Sequence, residues 1–166
     1  SNMAARIASF ELAYKMQQHA PEAVDISSEP EHVKKLYGLD REHTRDFGRK
    51  CLLARRLVER GVRFIQVYSG GNHGSKNWDA HGNVFNHRKN AKFSDHGTAA
   101  LIRDMRQRGL LDHTLIAICT EFGRTPWYQH KSKTPGRNHW HKAFTCLLAG
   151  AGVKGGMAYG ATAPIG

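Results

Sequence analysis

Three short, nearly continuous apolar runs constrain this chain most: VRFIQVY at residues 62–68, TLIAICT at 114–120 and AFTCLLAG at 143–150. Their length and bounding turn residues suit strands better than helices, and the first two are rich in β-branched and aromatic residues. Just before the first run, residues 46–60 carry Phe47, Cys51, Leu52, Leu53, Leu57 and Val58 at helical spacing, and Gly61 stops them. Helix, glycine and strand in immediate succession form the αβ half of a crossover unit. A second helix can open at Ser94 or Asp95, whose side-chain oxygens can accept from its first free amides. It sets Leu101, Ile102 and Met105 on one face and stops at Gly109, shortly before the second run. Helices alternating with apolar runs imply an α/β fold with a mainly parallel sheet flanked by helices.

The rest of the chain fits around that expectation. Residues 7–18 have loosely helical apolar spacing, and Pro21 is expected to limit that helix. Residues 21–30, PEAVDISSEP, read as a polar linker, and residues 31–37 as a short helix closed by Gly38 in a left-handed cap. The expected organisation is an N-terminal helix and linker over 1–30, followed by a partial α/β domain over 31–166. Ser1-Asn2 ahead of Met3 reads as the remnant of a cleaved tag. A length of 166 residues suffices for one core-forming domain. No apolar run approaches the roughly 18 residues of a membrane span. The polar, helical start is unlike a signal peptide. Cys51, Cys119 and Cys146 lie in apolar elements without C-x-x-C spacing, which argues against a disulfide framework or zinc ribbon and for buried free thiols.

With 25 Lys and Arg against 14 Asp and Glu, the net charge is +11. Such a field favours anionic partners: sulfate or phosphate esters, polyanionic glycans or nucleic acid. The basic residues are spread over several helices rather than gathered in a stripe, and no recognition motif accompanies them. Nucleic acid is therefore disfavoured as a partner, and no membrane partner is expected.

The polar residues with chemical potential fall in two irregular stretches. One, residues 69–93, contains Trp78-Asp79-Ala80-His81-Gly82; the other, residues 121–141, contains Glu121, Arg124, His139 and His141. Loops of this length in compact domains are usually functional or disordered, and parallel sheets place ligands beyond the carboxyl ends of their strands. Asp79 and His81, two positions apart, point to one side of an extended segment, as do His139 and His141. Their convergence would make an N/O donor set suited to Zn, Mn or Fe(II). Against this stands the count of 11 histidines, most of which must serve as surface or capping residues; His73, His87, His96 and His113 are assigned there. Arg124 could bind an ester oxyanion with its planar fork or pin its loop by bonding backbone carbonyls, and both readings stay open. Trp78 and Trp140 read as anchors of loop to core.

WDAHG, the helix opening at Asp95, LLDHTLIAICTEFGRTP, GRNHW and LLAGAGVKGG follow one another in an order that resembles the C-terminal half of the alkaline phosphatase/sulfatase superfamily. The nearest likeness is to its uncharacterised bacterial sulfatase-like branch, a family defined only as a domain of unknown function. CLLARRLVERGVRFIQVY fits the same branch, so the resemblance covers roughly residues 30–162. It implies that Asp79, His81 and His139 hold one divalent metal (Zn, Mn or Ca) and that Glu121 serves a second. Phe122 stands where a histidine of that second site is expected, and Asn138 where the branch more usually has Asp, a possible orienter of a ligand. Arg124 and His141 would contact an anionic ester substrate. The implied reaction is hydrolysis of sulfate or phosphate esters by a metal-activated Ser, Thr or formylglycine nucleophile. In the superfamily, that nucleophile and a further metal-binding Asp belong to an N-terminal half. No C-x-P-x-R motif occurs here. The expectation is thus a partial fold, inactive alone and without an identifiable nucleophile, completed by a missing N-terminal half or by homo-oligomerisation. The alternative is a non-catalytic module that holds anions through Arg124, Arg137 and backbone amides. Relatives are often exported, although no leader is visible in this chain.

Overall fold

The computed structural model describes residues 2–70, 78, 79, 81–129 and 134–161. Ser1, His73 and Ala80, invoked above, lie outside the described residues. Four α-helices dominate: α1 (Asn2–Val24), α2 (Glu31–Leu36), α3 (Glu42–Glu59) and α4 (Asn86–Gln107). A 3-10 turn at Leu111–His113 follows, and then four very short strands: β1 (Ile116–Ile118), β2 (Gly123–Arg124), β3 (His139–Trp140) and β4 (Leu147–Ala149).

The core is helical. Phe47, Cys51 and Leu52 on α3 meet Ala100, Leu101 and Met105 on α4, with Val33 and Tyr37 from the α2 region and Leu111 from the 3-10 turn closing the cluster. Burying each large apolar side chain contributes roughly 1.5–3 kcal/mol. Two glycines allow the helices to approach this closely. A Cβ on Gly97 would stand 3.0 Å from Phe47 Cδ1 and 3.2 Å from the Cα of Gly48, while one on Gly48 would collide with the Tyr37 carbonyl. Burial pushes the Cys51 thiol up to about 12, so it stays neutral in the core.

An ionic cluster binds the helices beside this core. Arg55, 2% exposed, places Nη2 2.6 Å from Glu29 Oε2 and Nη1 2.6 Å from Glu59 Oε2. Its Nε lies 3.1 Å from Asp104 Oδ2, but off the N–H direction, so that contact is ionic rather than a hydrogen bond. Arg56 Nη1 donates to Glu29 Oε1 at 2.6 Å, and its Nε donates to the Ala23 carbonyl at the end of α1. Arg108 donates to Asp104 and to Glu59, and the Tyr37 hydroxyl donates to Asp104 at 3.0 Å. Burial, together with the Asp104 carboxylate, pushes the Tyr37 phenol well above its ordinary value, so it remains a donor. Glu29, Glu59 and Asp104 thus balance Arg55, Arg56 and Arg108. Burial opposes ionisation of Glu29, but its hydrogen bonds from Arg55 and Arg56 outweigh that and hold its carboxyl below the usual range.

The expected α/β class with a mainly parallel sheet is not what forms. The described strands make two separate two-stranded sheets, both antiparallel: β1 pairs with β4 through Ile116↔Ala149, Ala117↔Leu148 and Ile118↔Leu147, and β2 pairs with β3 through Gly123↔Trp140 and Arg124↔His139. The two ladders are nested, so residues 116–149 fold back on themselves as one interrupted hairpin instead of crossing over a helix. Residues 62–68 are extended but form no ladder with any described residue, and they lie along α3, where Ile65 and Val67 line a groove of about 270 Å³ with Leu53, Ala54 and Leu57. Apolar runs were read as buried on both faces, yet Phe64 is 80% exposed and Leu147 and Leu148 are about half exposed. Composition marks a run as extended; it does not select the partner or the direction of pairing.

Helix boundaries also shift. α1 passes through Pro21, because the last turn still closes with the Asp25 amide donating to the Pro21 carbonyl at 3.1 Å, so the expected linker begins later. α4 starts eight residues before Ser94, which lies inside the helix with its hydroxyl donating to the Asn90 carbonyl at 3.1 Å. Gly38 takes the expected left-handed conformation, φ +71°. Of the cysteines expected to be buried, Cys51 is, whereas Cys119 and Cys146, which flank the β1–β4 pair, are exposed.

Candidate metal centre

The inner hairpin and the segment around residue 79 build the site together. Beyond β2 and β3, the hairpin is held by the Thr125 amide donating to the Asn138 carbonyl at 3.0 Å and the Gln129 amide donating to the Gly136 carbonyl at 2.8 Å. The Val84 amide donates to the Pro135 carbonyl at 2.9 Å, which docks the residue-79 segment onto the hairpin. At Gly136 the backbone passes so close to the His81 carbonyl that any Cβ would collide with it.

Arg124 on β2 locks the two parts. Its Nη2 donates to the Trp78 carbonyl at 2.7 Å, and its Nη1 to the Arg137 carbonyl at 3.1 Å and to Asp79 Oδ1 at 3.2 Å. Of the two readings left open for this side chain, these bonds describe the pin, which also aims Asp79. From α4, His87 Nε2 bonds the same Trp78 carbonyl at 2.8 Å, and Trp78 Nε1 donates to Ser69 Oγ at 3.1 Å, so Trp78 is anchored at both ends.

Asp79, His81 and His139 come together: one possible ligand atom from each lies within 4.8 Å of the others. His81 Nε2 is 3.0 Å from Asp79 Oδ1, and His139 Nε2 is 3.7 Å from the same oxygen. The two rings meet edge to face at 4.9 Å between centroids. On its other side each ring meets a second oxygen. His81 Nδ1 lies 3.1 Å from Gln129 Oε1, and His139 Nδ1 lies 3.3 Å from Glu121 Oε1.

This arrangement has a specific chemical consequence. A neutral imidazole has one N–H and one lone pair. If the Nδ1 protons point at Gln129 and Glu121, both Nε2 lone pairs face a carboxylate oxygen, a repulsion that a cation between them would relieve; with the proton on Nε2 instead, His81 donates to Asp79 without an ion. Imidazole ligands to metals commonly have this pattern, the second ring nitrogen donating to an oxygen that fixes tautomer and orientation. The donor set therefore fits a divalent ion with three protein ligands and open positions.

The other expected site residues sit differently. Glu121, 68% exposed, reaches the cluster through the outer nitrogen of His139. His141 contacts the Phe122 and Trp140 rings at 6.4 and 6.2 Å and is not one of the three grouped residues. Phe122 itself lies edge-on to His139 at 6.0 Å, an apolar wall for the site. Asn138 Oδ1 accepts from the His139 amide at 2.8 Å, so it shapes the backbone at the ligand. Sequence reasoning missed Gln129, a lone amide in an irregular loop with no periodicity to mark it, and set His87 aside as surface although it braces the Trp78 carbonyl.

A family model described as "Protein of unknown function (DUF1501)" matches residues 1–166. No curated protein and no solved structure in the comparisons matches the chain. The chain belongs to the DUF1501 family.

Proposed function

We propose that this member of the DUF1501 family binds one divalent metal ion, Zn, Mn or Ca, through Asp79, His81 and His139, and is a metal-dependent hydrolase domain for sulfate or phosphate esters. The observation that carries the metal reading is the convergence of both Nε2 atoms on one oxygen of Asp79, with Gln129 and Glu121 behind the rings. The ester reading adds the resemblance of the motif blocks to the alkaline phosphatase/sulfatase superfamily and a net charge of +11 that draws anions.

In this reading Asp79, His81 and His139 supply the ligands. Gln129 and Glu121 keep the Nδ1 protons outward and the Nε2 lone pairs inward, and Arg124 holds the Asp79 carboxylate in place. A divalent ion there would polarise an ester oxygen as a Lewis acid. His141, exposed on the β3 side, is the residue available to contact a bound anion.

Calorimetric titration of the intact chain with Zn or Mn tests the metal reading: uptake of one equivalent, lost in Asp79→Ala and His139→Ala, is expected, and no uptake overturns it. Turnover of an aryl sulfate or aryl phosphate by the metal-loaded chain joined to a nucleophile-bearing N-terminal half tests the ester reading, since the chain alone is expected to be inactive. Ion binding without turnover of either ester would leave a metal-binding, anion-holding module in its place.

A further inference from the structure

Cys119 and Cys146 lie one residue beyond the paired ends of β1 and β4. The β1–β4 register ends at Ile118↔Leu147, and one further step in the antiparallel direction sets Cys119 opposite Cys146. The neighbouring Cys119 thiol pushes the Cys146 thiol above its ordinary value, in keeping with that opposition. Both residues are exposed, whereas Cys51 is buried. Directly opposed residues of an antiparallel pair have Cα atoms about 4.5 or 5.5 Å apart, depending on their place in the ladder. Disulfides span about 4.4–6.8 Å between Cα atoms. Either place in the ladder therefore allows a bond with little backbone movement.

We propose that Cys119 and Cys146 are a redox-active cross-strand pair that closes to a disulfide by exchange with a small-molecule disulfide such as oxidised glutathione. In the first step the thiolate of one cysteine attacks a sulfur of the small disulfide, forms a mixed disulfide and expels one glutathione thiolate, which takes up a proton. In the second step the other cysteine, as thiolate, attacks the protein sulfur of the mixed disulfide and expels the second glutathione. Both protein thiols are oxidised by two electrons in total, and one oxidised glutathione becomes two reduced ones. The bond would tie β1 to β4 two residues before Glu121 without using any residue of the metal cluster.

The test is thiol counting and intact mass on the full chain after incubation with oxidised glutathione under native conditions. The expected result is loss of two of the three thiols, a mass lower by two hydrogens, and a peptide joining residues 119 and 146 after digestion. Cys51→Ser should form the same bond. Cys119→Ser should instead carry one glutathione on Cys146 and form no internal bond. Wild-type chain that ends with a glutathione on each exposed cysteine, with a disulfide between two copies, or with all its thiols free would overturn the proposal.

Discussion

The helical half and the hairpin half of this molecule are built on opposite principles. In the first, α3 and α4 press together at Gly48 and Gly97, and a charge-balanced cluster of three carboxylates and three guanidiniums fills the space beside them. In the second, the two-residue strand β3 carries His139, and the irregular segment docked on the hairpin carries Asp79 and His81, into partial solvent contact, with side chains 36–41% exposed. Much apolar surface there is open as well, including Phe122, Phe144, Leu147 and Leu148. In the proposed reading stability and chemistry are thus separated: the helices support the fold, and the hairpin with the segment around residue 79 presents donor atoms that must stay reachable. Changes in one half should leave the other half's property nearly intact.

The largest expected effect is on the ionic cluster. Glu29→Ala leaves Arg55 and Arg56 buried without their shared carboxylate, and breaking a buried pair from one side costs about 3–5 kcal/mol. Chemical denaturation should show that loss, while the fraction still folded should keep its metal affinity. Leu52→Ala, at a fully buried position, should cost about 2–5 kcal/mol for the same reason of place rather than charge. If either change removed metal binding from folded protein, the separation of halves would be wrong.

Acid should act through the same cluster. The folded-state pKa of Glu29 lies below its unfolded value. Its contribution to stability is therefore fully present above the ordinary glutamate range and is lost as pH falls through the lower folded value. Denaturation midpoints measured from pH 6 down to pH 3 should fall for the wild type and fall less for Glu29→Gln, which has no proton to gain there.

Smaller effects belong to the hairpin. Gln129→Ala removes the oxygen behind His81 and should weaken metal affinity about 10–100-fold, the usual cost of losing such an orienting partner, with little change in melting temperature. Smallest of all, Phe64→Ser, at an exposed position on the extended segment 62–68, should change stability by no more than about 0.5 kcal/mol. A large loss there would show that residues 62–68 are buried in a way their placement along α3 does not explain.

What could be read in advance divides along the same line. The stripe of Phe47, Cys51 and Leu52 marked α3, and Gly38 marked a left-handed turn, because helix faces and caps are local properties of sequence. The sheet was misread because pairing is non-local: the apolar run at 62–68 resembles a buried strand, but nothing in it says that the run will lie on α3 with no ladder to any described residue. The start of α4 was missed because Asn86 to Phe93 has no clear apolar period, and Ser94 suggested a cap where it instead back-bonds to Asn90. For the site, the two-residue spacing of Asp79 and His81 and the presence of His139 in the later loop were legible, and the structure brings these three together. The hairpin that does so was not, since antiparallel nesting of 116–149 replaced the expected sheet rim. Gln129 and the backbone bonds of Arg124 depend on that nesting and had no local signal.

The most direct test of the central claim is an NMR titration of the imidazole resonances with sub-stoichiometric Mn. Paramagnetic broadening should appear first at His81 and His139, while His32, His43 and His113 stay sharp, and Asp79→Ala should abolish the selective broadening. Uniform broadening of all histidines, or selective loss at rings other than those two, would contradict a metal centre built from Asp79, His81 and His139.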